Sequence, residues 1–200
     1  MSASTRQKMV AGVADLVSRR GIHATSLRDV VQYTGTPRGS LAHHFPGGKQ
    51  QMLEEALLYA ADAVALPLEA LMREKGAMAG LKDFFGWWRR ILVASSFEAG
   101  CPVLAIAVEQ VVDDADIGPG RPSDRLRELA DAAFERWQSV LAESMERDGL
   151  SPDRARRLAA LVVASIEGTV AMCRAARSLQ PLDLVQQELE AVLIHVIETR

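Results

Sequence analysis

The 200-residue chain is 48% apolar, 24% charged and 5% aromatic. That composition is globular rather than disordered, and its wealth of Ala, Leu and Val favours helices over strands. Uninterrupted apolar runs of about 18 residues and a signal-like start are both missing, so neither a membrane span nor secretion is expected. Two cysteines, Cys101 and Cys173, make neither a disulfide framework nor a four-ligand zinc site. The net charge of −3 is unevenly spread: the first 50 residues carry +5 and the other 150 carry −8. A basic head on an acidic body points to a polyanionic partner for the head.

In chain order, Met9, Val10, Val13, Leu16 and Val17 recur at helical spacing over residues 5–20, and Gly21 suits the helix end. Ser26 followed by Asp29 reads as a capping box that opens a second helix of about eight residues. Gly35 and Pro37 stop it and set the start of a third short helix, from 37 or 38 to about 44. Leu41 is expected as that helix's buried anchor, with Phe45 closing the core. Two short helices joined by a Gly-containing turn match the helix-turn-helix pattern. A short helix with small leading residues can enter the major groove: Gly39 and Ser40 leave room for the backbone. Arg38 offers a bidentate fork for guanine, and Thr36 and Ser40 offer hydroxyls.

The stretch GIHATSLRDVVQYTGTPRGSLAHHFPGGKQQML resembles the N-terminal signature of the tetracycline-repressor (TetR) family of bacterial transcription regulators. Gly21, Thr25, Ser26, Gly35, Gly39, Leu41, His44, Phe45 and Lys49 carry the match. Ala42 and His43 replace two usual tyrosines, Pro37 replaces a serine, and Gly47-Gly48 lengthens the turn before Lys49. The resemblance implies DNA contacts from Ser26, Thr36, Arg38, Gly39, Ser40, His43, His44 and Lys49. HFPGGK, with Gly100-Cys101-Pro102, further resembles the lincomycin- and flavonoid-responsive branch. His43 and His44 point about 100° apart with no third ligand at helical spacing, so no metal is expected.

Beyond Gly48 a long helix is expected, kinked at Pro67 and broken at Gly76, then another over 78–96. Pro102 starts a helix to about 112, and 113–123 is the longest loop signal. A helix of about 24 residues follows to Gly149. Ser151-Pro152 starts one to about 177, and Pro181 and Asp183 open the last. The expected fold is all-α with about nine helices: a three-helix DNA-binding head at 1–63, with the first half of the linking helix, and a ligand-binding and dimerisation body at 64–200.

The last two helices are apolar around much of their circumference, which predicts a homodimer through Leu161, Ala164, Gly168, Leu189, Val192 and Val196. Phe84, Trp88, Ile91, Phe134, Trp137 and Met172 are expected to wall an apolar pocket. Glu109, an acid on the apolar run 103–108, joins them as a candidate. Trp87 and Trp88 are adjacent and cannot both face inward. Together these features predict a cytoplasmic, ligand-responsive regulator, most simply a repressor, with a duplex operator, a small apolar or aromatic effector and no cofactor. A constitutive DNA-binding module is the alternative. A helical enzyme built on Cys101 or Glu109 lacks a nucleophile, base and orienting group, and leaves the basic head unexplained.

Overall fold

The structure, a computed structural model, describes residues 4–37, 39–109 and 122–198. Its helices are α1 (Thr5–Arg20), α2 (Leu27–Thr34), α3 (Ser40–His44), α4 (Gly48–Ala94), α5 (Pro102–Val108), α6 (Pro122–Arg147), α7 (Pro152–Ala176) and α8 (Gln180–Glu198). No strand occurs among the described residues, and the fold is all-α. The chain divides into two compact units: residues 1–62 with 101–133, and residues 63–100 with 134–200. The first unit therefore takes in α5 and the start of α6, which a boundary at 63/64 would assign to the body.

Helix ends follow local chemistry. Ser4 and Gln7 cap α1 reciprocally, and Ser26 and Asp29 do the same for α2, each pair satisfying two otherwise orphaned N–H groups. The Ser26 hydrogen bonds, with Arg20 nearby, hold the Asp29 carboxyl below its usual range. This cap contribution is therefore full above the unfolded-state value and is lost as pH falls through the lowered one. Gly35 is left-handed (φ 64°, ψ 26°) and ends α2, so the chain can turn without a Cβ clash. Pro67 is accommodated within helical backbone. The real break in α4 is Gly76 (φ 74°, ψ −179°), which makes it two helical arms. Past the break, Asp148 accepts from the Ala77 N–H at 2.8 Å and starts the second arm. Ser151 precedes Pro152 at the first turn of α7, as expected.

In the first unit Met9, Val13, Val17, Ile22, Val30, Phe45, Met52, Leu53 and Leu57 form the core. Helices α1 and α2 approach closely at Gly12, where a Cβ would lie 2.3 Å from Thr34 Cγ2. In the second unit Leu68, Met72, Leu81, Phe85, Trp88, Leu92, Trp137, Leu141, Ile166 and Val170 are buried. Of the two adjacent tryptophans only Trp88 is fully inside. Trp87 is half-buried and stacks on Phe84, with ring centroids 5.5 Å apart and planes within 7°. Helix α7 is long and apolar enough to cross a membrane by length and composition, but half of its most apolar window is buried against protein. It is a core helix of the second unit. The loop expected at 113–123 lies, up to Arg121, outside the described residues.

Candidate nucleic-acid interface and ligand cleft

Helix α3 is shorter than expected. It begins at Ser40 after Gly39, and none of its residues is buried. Leu41 is half-buried, and the anchor is Phe45, 1% exposed, at its C-terminal end. The backbone N–H of Phe45 donates to Leu41 O at 2.8 Å, and the Arg6 guanidinium lies 5.5 Å from its ring centroid. Arg6 in turn meets Glu55 of α4 at 2.6 Å. Gly39 and His43 are exposed, while Ser40 and His44 are half-buried. The two imidazoles meet edge to face at 5.1 Å. Arg38 lies outside the described residues.

The three hydroxyls expected at the interface are engaged within the chain. Ser26 Oγ donates to Asp29 at 2.6 Å, Ser40 Oγ donates to Pro37 O at 2.6 Å, and Thr36 Oγ1 lies 2.8 Å from Thr34 Oγ1. Donation to a phosphate by Ser26 or Ser40 therefore requires exchanging an internal bond. Lys49 departs most from expectation. It is 5% exposed, among Val13, Thr25, Leu27, Val30, Met52 and Leu53, and so belongs to the head's interior rather than its outer surface.

Ion pairing also thins the basic face. Arg19 pairs with Asp15 at 2.9 Å and Arg20 with Asp29 at 3.3 Å, in addition to Arg6 with Glu55. Tyr33 donates to Asp15, and that bond raises its hydroxyl above the ordinary range. Lys8 and Arg28 are exposed.

Glu109 is not a pocket residue. Standing at the end of α5, it accepts from the N–H groups of Ile22 (2.8 Å) and His23 (3.3 Å). It packs so closely over Gly21 (φ 81°) that a Cβ there would lie 1.8 Å from Glu109 Oε1. The acid in an apolar run thus finds its partners in the turn between α1 and α2. Glu109→Ala should leave these amides unsatisfied and cost about 1–3 kcal/mol. Hydrogen exchange at Ile22 and His23 should accelerate, and unchanged protection there would contradict the clasp.

In the second unit Phe84, Trp88 and Trp137 line one cleft together with Val64, Leu68 and Glu167. Its empty space is about 260 Å³, and its open core is no wider than a water molecule. Ile91 and Phe134 are half-buried and stand off the cleft, Phe134 packing edge to face on Trp137 at 5.3 Å. Met172, expected in the pocket, is 57% exposed on the outer face of α7. Leu161, Ala164 and Gly168 share that exposed face, and a Cβ on Gly168 would meet nothing within 4 Å. On α8, Leu189 is buried in its own unit and so does not belong to an outer surface. Val192 and Val196 are half-buried, whereas Leu184 and Ile194 are exposed. Glu167 went unnoticed in the sequence although it carries the signal assigned to Glu109, an acid within the apolar run Leu161–Val170. Cys101 is buried, which removes it as a reactive surface thiol.

A turn-linked pair of short helices on a three-helix core, in a chain whose second unit has helices as its regular elements among the described residues, defines a helix-turn-helix DNA-binding protein. A family model described as bacterial regulatory proteins, tetR family, matches residues 11–56, and one described as transcriptional regulator LmrA/YxaF-like, C-terminal domain, matches residues 77–188. An uncharacterized HTH-type transcriptional regulator of Mycobacterium tuberculosis is 38% identical over 98% of this chain and 97% of its own. The HTH-type transcriptional regulator LmrA of Bacillus subtilis is 30% identical over 89% of this chain and 90% of its own. A TetR transcriptional regulator from Legionella pneumophila superposes with a TM-score of 0.79 at 19% identity, covering 96% of this chain and 98% of that one. The chain belongs to the TetR family of transcriptional regulators. It is a DNA-binding regulator and not an enzyme.

Proposed function

We propose that this protein is a cytoplasmic, ligand-responsive repressor that binds a palindromic operator as a homodimer, with residues 1–63 reading DNA and residues 64–200 holding the effector and the dimer contact. The observation that carries this reading is the exposed helix α3, set on a buried Phe45 behind the left-handed Gly35 turn. Gly39, Ser40, His43 and His44 present its outer surface, with Thr36 at the approach and Ser26 at the start of α2. One five-residue helix reads few base pairs. Two of them, about 34–36 Å apart across a two-fold axis, read a palindrome.

The exposed stripe Leu161, Ala164, Gly168 and Met172, with Leu184 and Ile194 on α8, supports the dimer contact. The cleft at Phe84, Trp88 and Trp137 supports an apolar effector. An effector that binds one dimer geometry better than the other weakens DNA binding by that difference, typically 1–3 kcal/mol.

The test begins with operator selection from random DNA, followed by gel shift at fixed salt. Arg38→Ala should weaken the selected operator by about 1–3 kcal/mol and relax the preference at one position per half-site. Base preference unchanged in that variant would refute direct readout by Arg38, and no salt-dependent shift by the wild type would refute the DNA reading itself.

A further inference from the structure

The second unit also carries an open groove, distinct from the cleft at Trp88 and from the exposed face of α7. It lies between the two arms of α4, with Pro67 and Leu71 on one side and Asp83, Gly86, Trp87 and Arg90 on the other, and its volume is about 400 Å³. Pockets for small molecules span roughly 300–1,000 Å³, so this groove has room for one as it stands.

The groove is aromatic and apolar along its length and cationic at one end. Trp87 is held by its stack on Phe84, and a fixed ring offers a stacking surface at little ordering cost. Arg90 follows one helical turn later and is exposed. Among the described residues it makes no hydrogen bond or ion pair, and it acts on Asp83 through space alone. Asp83, a turn before Trp87, is already tied to Lys75. That hydrogen bond and the charge of Lys75, then Lys82 and Arg90, hold its carboxyl below the usual range. Glu74, beside Lys75, is met by Arg73. Three cations therefore surround one acid, in a stretch of chain, residues 51–200, that carries −8 overall. Gly86 adds a separate sign. It lies in helical backbone, where glycine is a poor residue, and a Cβ there would meet only Arg90 Nη1, at 3.7 Å. Crowding does not demand a glycine, and its missing side chain leaves the space beside Arg90 open.

We propose that this groove binds a planar aromatic carboxylate, with its ring against Trp87 between the arms of α4 and its carboxylate forked to the Arg90 guanidinium. The site is separate from the effector cleft and does not rest on that reading. A neutral ring gains the stacking without the ion pair, and an amine meets the excess of positive charge.

2-Naphthoate and 2-naphthamide share ring and shape and differ in charge. Calorimetric titration of the full-length protein at low salt should show naphthoate bound about fivefold more tightly, the upper range for an exposed ion pair, and the preference should shrink as salt rises. Arg90→Gln should abolish the preference while leaving the amide's affinity unchanged. Gly86→Leu, which fills the groove with a better helix former, should block both probes. Thermal melting checks that each variant is folded. Equal binding of the two probes by the wild type, or binding of neither, overturns the proposal. So does a preference that survives in Arg90→Gln, which would place the carboxylate elsewhere, or binding that survives in Gly86→Leu. Arg90 is exposed, so its replacement leaves the core intact; should Gly86→Leu fail to fold, the Arg90 comparison still decides.

Discussion

Phe45→Ala is expected to abolish operator binding while leaving the tryptophan emission of the second unit almost unchanged. Phe45 is a large, fully buried side chain of the first unit, and removing its ring should cost about 3–5 kcal/mol. Total stabilities of about 5–15 kcal/mol leave little margin for such a loss. The damage is focused on the reading element, because a five-residue helix cannot sustain itself in water and depends on tertiary anchoring. Loss of the ring also removes the surface beneath Arg6, which ties α1 to α4 through Glu55. Trp87, Trp88 and Trp137 all lie in the second unit, so their emission reports on it separately. Gel shift and emission measured on one sample check this result, and operator affinity within threefold of wild type would show that α3 does not depend on Phe45.

Gly168→Glu is expected to convert dimers into folded monomers and to weaken operator binding by about 10²–10⁴-fold, the advantage that linking two half-site contacts confers. The position suits the test unusually well. A Cβ at Gly168 meets nothing within its own chain, and Glu has a higher helix propensity than Gly, so the monomer fold gains by up to about 1 kcal/mol. Across a two-fold axis the same substitution places two carboxylates in one apolar contact. Light scattering at micromolar concentration reads the assembly, and melting temperature reads the fold. A Gly168→Glu protein that stays dimeric would move the contact away from this face of α7.

Much of the helix map was legible because the signals are local. The Ser26–Asp29 box, the left-handed Gly35, the break at Gly76 and the Ser151-Pro152 start are each decided by residues within a turn of one another. The site was less legible because its deciding contacts are not local. An acid in an apolar run announces that it needs a partner, but not which one: Glu109 finds the Ile22 amide 87 residues away, while Glu167 lines the cleft. Lys49 reads as a surface cation from its place in the first turn of α4, yet the packing of α1 and α2 encloses it. Leu189 and Met172 illustrate a third obstacle. A helix apolar around most of its circumference carries no phase, so sequence could not tell which side of α7 or α8 faced inward.

Because Ser40–His44 has no side chain in the core, its chemistry is decoupled from the stability of the head. Residues there can be exchanged for others of similar helical tolerance without opening a cavity, so operator preference can drift one base pair at a time while Phe45 and the Gly35 turn stay fixed. The reading surface acts as a replaceable face on a permanent mount. Relatives that keep the mount and change the face would be expected to recognise different DNA with the same architecture.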